Sequence, residues 1–449
     1  MGHITPMVEL AKRLVQRDSR ISVAIFIIKL PLFQNNSYIK SLDAHPDLIS
    51  KQIKFLELPV LENPPNSTPG PASGMEMMKR YKPMVKQVIE EQVIGGDSIN
   101  QLGGIVLDFF CTPFMDVATE LNVPSYIFYA SNCALLILGL HFQHMKDDHG
   151  VDITQVADQD AELDLPGFES PIPYKLLPGR LLDKDGGGNE MIVNHSRRYR
   201  SAKGILVNSF EEVESYPLRA LTDDTTVPTI YSVGPIINLD TQTKEVAEGS
   251  QSKEEEEVED SILKWLDKQP AGSVVFLCFG SLGSFPEDQE DPATILPDGF
   301  LDRTADRGRV IGWAPQVAIL SHPAVGGFVS HCGWNSTLEA LWFGVPIAAL
   351  PMYAEQQINA FRLVKELGLA VEIKMDYRSD PFGKTTNGLV EAEVIENGIR
   401  KLMAGESEEM RSKVKEMSEA CRNATKEGGS SYAWLGRFIE DVLGGTSEK

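Results

Sequence analysis

The stretch from Trp313 to Gln356, WAPQVAILSHPAVGGFVSHCGWNSTLEALWFGVPIAALPMYAEQ, constrains this chain more than any other. Val325–Ser330 is apolar and glycine-bearing, a buried strand by length and pattern. His331-Cys332-Gly333-Trp334 is the turn at its carboxyl end. Asn335 or Ser336 caps the following helix, and Leu338, Leu341 and Trp342 are spaced along its buried side. Gly344 ends that helix, and Val345–Leu350 reads as the next parallel strand. The stretch is therefore a βαβ unit.

Ligands of open α/β sheets bind beyond the carboxyl ends of the strands. A helix amino-terminus placed there offers unpaired N–H groups and a positive partial charge, which suits a diphosphate. Ser336 and Asn335 add side-chain donors, and His331 can donate to a phosphate oxygen. Glu339, one turn into the helix, can accept from two ribose hydroxyls. Trp313 can stack on a flat base, worth about 1–3 kcal/mol. Together these groups match the parts of a nucleotide-sugar.

A second constellation lies near the amino end. Thr5-Pro6 reads as a helix start, with Met7, Leu10, Ala11 and Leu14 on one face. His3 then sits just before a helix amino-terminus, whose positive end disfavours imidazolium and favours a neutral base. Asp108 interrupts the apolar run Ile105–Phe110, where a carboxylate is costly unless paired. Paired with His3, it would fix the imidazole tautomer and stabilise the imidazolium formed in a reaction. Read alone, His3 could be a terminal residue and Asp108 a cap of the helix near Thr112–Leu121.

Short apolar runs alternate with helical patterns along the chain, as in a parallel sheet covered by helices. Strands are expected at 22–28, 105–109, 125–129 and 204–208, and in the second half at 273–279, 309–311, 325–330 and 345–350. Tyr231–Pro235 closes the first half. The charge run KEEEEVED at 253–260 reads as a solvated linker loop. The division is a first domain over 1–235, an acidic linker over 236–260, a second domain over 261–430 and a terminal helix over 431–449.

The net charge of −22 disfavours nucleic acid and anionic membrane surfaces as partners. An anionic ligand must then be held by local dipoles. No apolar run is long enough to span a bilayer. Five cysteines without a C-x-x-C pair argue for reduced thiols, a cytoplasmic location and no zinc site. Asp158-Gln159-Asp160 matches a metal-binding D-x-D but sits in a polar stretch without a neighbouring strand, so it reads as a solvated loop. No metal and no cofactor is expected.

The 313–356 stretch resembles, almost position for position, the signature box of plant family 1 UDP-glycosyltransferases. GHITPMVELAKRL, GIVLDFFC, SFEEVE, VFLCFGS and GRVIGWAPQ agree in order, so the resemblance covers nearly the whole chain. It implies two Rossmann-like domains facing across a cleft (GT-B), with the last helix returning to the first half. It places the base on His3 and its partner on Asp108. The UDP-sugar would be held by Ser281, Trp313, Ala314, Gln316, His331, Trp334, Asn335, Ser336, Glu339, Glu355 and Gln356. Phe109, Phe110 and Asn132 would wall the acceptor pocket, with part of 171–200. The implied reaction is inverting transfer of glucose from UDP-glucose, the co-substrate, to a small lipophilic plant alcohol or phenol by a monomer. The sequence departs from the family twice. Met1 stands where a first strand and glycine-rich turn precede Gly2-His3, and an acidic, proline-bearing segment follows Ser284 where a helix and strand are usual. Both departures imply exposed apolar sheet surface, and a UDP-sugar binder without turnover is the alternative reading.

Overall fold

The computed structural model describes residues 3–28, 52–61, 71–95, 101–156, 158, 160–239, 253–280, 296–312, 314–379, 388–404 and 408–447. In the first half, α1 (Ile4–Arg17) leads into β1 (Val23–Ile28), which pairs in parallel with β2 (Ile53–Leu58). Then follow α2 (Pro71–Val88), β3 (Ile105–Asp108), α3 (Met115–Glu120), β4 (Ser125–Tyr129) and α4 (Cys133–His149). A short antiparallel pair, β5 (Glu162–Leu163) and β6 (Ile172–Pro173), precedes α5 (Gly188–Tyr199), β7 (Gly204–Val207), α6 (Glu211–Asp223) and β8 (Thr229–Ser232). Strands β3-β4-β7-β8 form one parallel sheet, and β1-β2 is a separate two-stranded sheet among the described residues. Helix α1 starts before Thr5, with His3 at the capping position and no side-chain cap.

The second half begins with α7 (Lys253–Leu266) and β9 (Val274–Cys278). It continues through α8 (Gln316–Ser321), β10 (Val325–Ser330), α9 (Trp334–Phe343), β11 (Ile347–Ala349), α10 (Gln356–Phe361) and β12 (Ala370–Glu372). Helices α11 (Ala392–Met403), α12 (Glu408–Ala424) and α13 (Ser430–Ser447) complete the chain. The sheet order is β12-β11-β10-β9, all parallel. Every residue of β10 is buried, as a parallel strand covered on both faces requires. Register aligns Ser330 with Cys278 and with Ala349, so three strands end together and their following loops share one edge.

Three local expectations are corrected. The KEEEEVED run is not a loop but the opening of α7: Glu and Lys are good helix formers, and Ile262 and Leu266 anchor the helix one turn apart in the core. No strand forms over 309–311, so β9 is an edge among the described residues. That edge leaves Leu277 48% and Phe279 42% exposed. Helix α9 starts at Trp334 with Gly333 at its cap and no side-chain cap, not at a capping Asn335 or Ser336. Its end is as read: Gly344 takes φ 70°, the left-handed region open to glycine.

The halves are joined at several points. Helix α13 returns to the first half, where Asp441 accepts hydrogen bonds from Tyr126 (2.8 Å) and Tyr231 (3.1 Å). Arg362 forms a buried ion pair of 2.5 Å with Glu214 of α6, whose carboxylate also accepts from the Cys133 and Ala134 amides at the start of α4.

Candidate active site

Strand β3 ends at Asp108, and α1 starts beside it. His3 Nδ1 donates to Asp108 Oδ2 at 2.7 Å, and Asp108 Oδ1 accepts from the Phe110 amide at 2.9 Å. Both carboxylate oxygens are therefore engaged, which answers the cost of an acid at the end of an apolar strand. The His3 ring stacks on Phe109 with centroids 4.9 Å apart and remains 45% exposed, towards the cleft. Burial alone would lower the His3 pKa. The charge of Asp108, its hydrogen bond and the charge of Glu355 together outweigh that, and the pKa is raised above 6.5. The helix-end argument for a lowered pKa is thus overridden.

Across the cleft lie the loops after β9 and β10 and the open end of α9. His331 is buried, with its pKa lowered to about 4 by burial against a backbone hydrogen bond at Cys278. It is neutral at pH 7, and its Nδ1 is buried without a partner. Gly280 makes room for it: φ there is 85°, and a Cβ would come within 2.9 Å of the imidazole. Gln316 Nε2 donates to Ser336 Oγ (2.9 Å) and to Glu339 Oε2 (2.5 Å). Burial pushes Glu339 up to about 7, opposed by that Gln316 bond. Glu355 is also raised, chiefly by burial.

One cavity of about 1770 Å³ takes in both sides. It is bordered by His3, Phe109 and Phe110 from the first half, and by Ala314, Gln316, His331, Trp334, Asn335, Ser336, Glu339 and Glu355 from the second. Asp108 lies behind His3. Trp334 borders the cavity, but its indole N–H is committed to the carbonyl of Asn208 at 2.6 Å. Ser281 and Trp313 lie outside the described residues.

Two residues expected at the site do not line this cavity. Asn132, expected in the acceptor pocket, is not among the lining residues. It is fully buried, caps α4 through the Leu135 amide (2.8 Å) and donates to Asn359 Oδ1 (2.6 Å). Gln356 is not among the cavity's lining: its Oε1 accepts from the Met352 and Tyr353 amides at 2.9 and 3.0 Å, which leaves Nε2 as the group it can offer. Sequence reasoning missed Asn359, which also donates to the Cys332 carbonyl (2.9 Å) and so ties the His331 turn to the first half. A lone asparagine in an apolar helix carries no signal of that partner. Among the described residues no cluster of His, Cys, Asp or Glu could hold a metal ion, and no helix is long and apolar enough to cross a membrane.

Comparison with known proteins agrees with this architecture. The family model described as UDP-glucoronosyl and UDP-glucosyl transferase matches residues 293–397. The chain is 44% identical over 483 residues to UDP-glycosyltransferase 71A15 of Malus domestica, covering 98% of this chain and 97% of that one. It is 43% identical over 478 residues to UDP-glucose flavonoid 3-O-glucosyltransferase 6 of Fragaria ananassa, with coverages of 98% and 96%. Among solved structures, Medicago truncatula UGT71G1 complexed with UDP-glucose superposes with TM-score 0.84 at 38% identity, covering 98% of this chain and 96% of that one. A transferase from Siraitia grosvenorii in complex with UDP gives TM-score 0.81 at 40% identity, with coverages of 98% and 97%. The fold and site therefore define a glycosyltransferase of the GT-B type, with two Rossmann-like domains. The chain belongs to the plant family 1 UDP-glycosyltransferases.

Proposed function

We propose that this chain transfers glucose from UDP-glucose to a hydroxyl of a small lipophilic plant metabolite, a phenol, flavonoid or terpenoid, with inversion to a β-glucoside. The observation that carries the reading is the 2.7 Å His3–Asp108 pair facing the same cavity as His331 and the open end of α9. Relatives named as flavonoid 3-O-glucosyltransferases, and a neighbour complexed with UDP-glucose, support the donor and the acceptor class.

In this mechanism the acceptor hydroxyl meets His3 on the face away from Asp108. Its oxygen forms a bond to the anomeric carbon as the bond from that carbon to the diphosphate breaks. The proton passes to His3, and the resulting imidazolium is held by the Asp108 carboxylate. The electron pair leaves with UDP. The amide end of α9, His331 and Ser336 receive the developing phosphate charge, and Ser281 joins them on resemblance. Glu339 accepts from the ribose hydroxyls, Trp313 and Ala314 border the base, and Glu355 with Gln356 Nε2 meets the sugar. Entry and exit on opposite faces of the sugar carbon invert its configuration. Glu355 also sits close enough to raise the His3 pKa, so the donor's sugar and the base share one electrostatic site.

The test is incubation with UDP-glucose and a panel of phenols, with product mass and the anomeric proton coupling read by NMR. A β-linked monoglucoside is expected. UDP binding without turnover on any acceptor, or an α-linked product, overturns the reading.

A further inference from the structure

His195 is a buried polar side chain that the transfer chemistry above does not use. It lies on α5 with Ile192, Ser196 and Tyr199 on the face that borders the cavity. Its Nδ1 shares a 2.8 Å hydrogen bond with Thr112 Oγ1, four residues beyond Asp108. Burial lowers its pKa to about 4 against the opposing charge of Asp108, so the ring is neutral and carries one proton at pH 7. Nε2 has no protein partner among the described residues, and it is not sealed, since it opens on the cavity. Phe110 packs edge-on against its ring at 5.7 Å, and the lining nearby on α5 is Ile192, Ser196 and Tyr199. A polar atom in this lining is satisfied only by what enters the cavity.

Phe110 sets the distance between the two histidines. Its ring lies 5.5 Å from His3 and 5.7 Å from His195, and it is 39% exposed. A flat ring system resting on Phe110 has His3 at one end and His195 at the other. We infer that His195 determines acceptor selectivity: its Nε2 hydrogen-bonds a second hydroxyl of the acceptor, carried on a rigid polycyclic scaffold whose reacting hydroxyl meets His3. A hydroxyl suits either tautomer, because it both donates and accepts. The inference rests on the glucosyl transfer proposed above. A purely structural role is already filled by other contacts to the same turn: Tyr199 donates to the Phe109 carbonyl at 2.8 Å and Arg198 to the Thr112 carbonyl at 3.0 Å.

The experiment compares 4′,7-dihydroxyflavone with 7-hydroxyflavone and 4′-hydroxyflavone in the parent, His195→Leu and Thr112→Val, with UDP binding by thermal shift as the folding control. In the parent, the dihydroxy compound is used at least tenfold better by kcat/KM than either monohydroxy compound. His195→Leu removes that preference, chiefly through KM, by about tenfold, the worth of one hydrogen bond to a buried partner. Thr112→Val, which breaks the bond within the protein and keeps Nε2, retains the preference. Equal losses on all three flavones in His195→Leu, or the same pattern in Thr112→Val, overturn the inference in favour of a structural pin. A parent with no preference overturns it as well. A parent that glucosylates none of the three while binding UDP counts against the transfer reading itself.

Discussion

Asn132 of the first half donates to Asn359 of the second at 2.6 Å, inside the protein and out of reach of solvent. Each partner has another task. Asn132 caps α4, and Asn359 holds the carbonyl of Cys332 beside His331. The pair therefore sets the His331 turn of the second half against the first half.

Replacing Asn132 by Ala removes a helix cap and strands the buried Asn359 oxygen. The two losses together are expected to destabilise by about 2–4 kcal/mol. Chemical denaturation of the parent and variant measures it. A loss below 0.5 kcal/mol, roughly the range of an ordinary surface change, would mean that the clamp is idle.

His3→Ala is expected to lower kcat about 10²–10⁴-fold while leaving UDP affinity nearly unchanged. Equal turnover by mutant and parent rules out His3 as the base.

The pH profile follows from the same pair. His3 must be deprotonated to act, so kcat/KM rises with pH through a pKa lying above 6.5. Asp108→Asn removes the raising charge but not the burial, which lowers the pKa. The acid limb of that variant is expected to move to lower pH even as its maximum rate falls. A limb that stays in place or moves to higher pH refutes the coupling.

Glu339, pushed up to about 7 by burial, is poised to lose a proton when ribose hydroxyls donate to it, because such bonds favour the charged form. UDP binding at pH 7 should release protons, and affinity should weaken as pH falls below 7. Calorimetry in buffers of different ionisation enthalpy reads the release, and Glu339→Gln should abolish it.

Arg362 and Glu214 form a buried pair between the halves. Arg362 also pairs with buried Glu366 at 3.1 Å, so Arg362→Met leaves two buried carboxylates without their cation, at a cost of about 3–5 kcal/mol or more. Adding Glu214→Gln should recover part of that loss, Glu366 accounting for the rest, and a double variant no more stable than the single would show that the Glu214 pair is not the cause.

Much of the site was legible because its parts recur at fixed offsets along one βαβ unit: His331, Ser336 and Glu339 reach the cavity as their places at a strand end and a helix opening require. The meeting of His3 and Asp108 was readable from the cost of an acid in an apolar strand. What escaped were side chains whose direction is set by a hydrogen bond that the spacing does not show. Asn132 turns to Asn359, and Gln356 turns back on its own loop, neither of which local pattern records. Short β12, and the helix hidden in an acidic run, were missed because three residues show no period and a charge run masks the two apolar anchors that follow it.

Trp334 reaches from the start of α9 to a backbone carbonyl at Asn208, so this rivet asks nothing of the side chain it meets. The jaws of the enzyme are thereby gauged from main chain to ring. Side chains lining the cavity can therefore change without loosening this clasp, and the gap between the two sheets keeps its width.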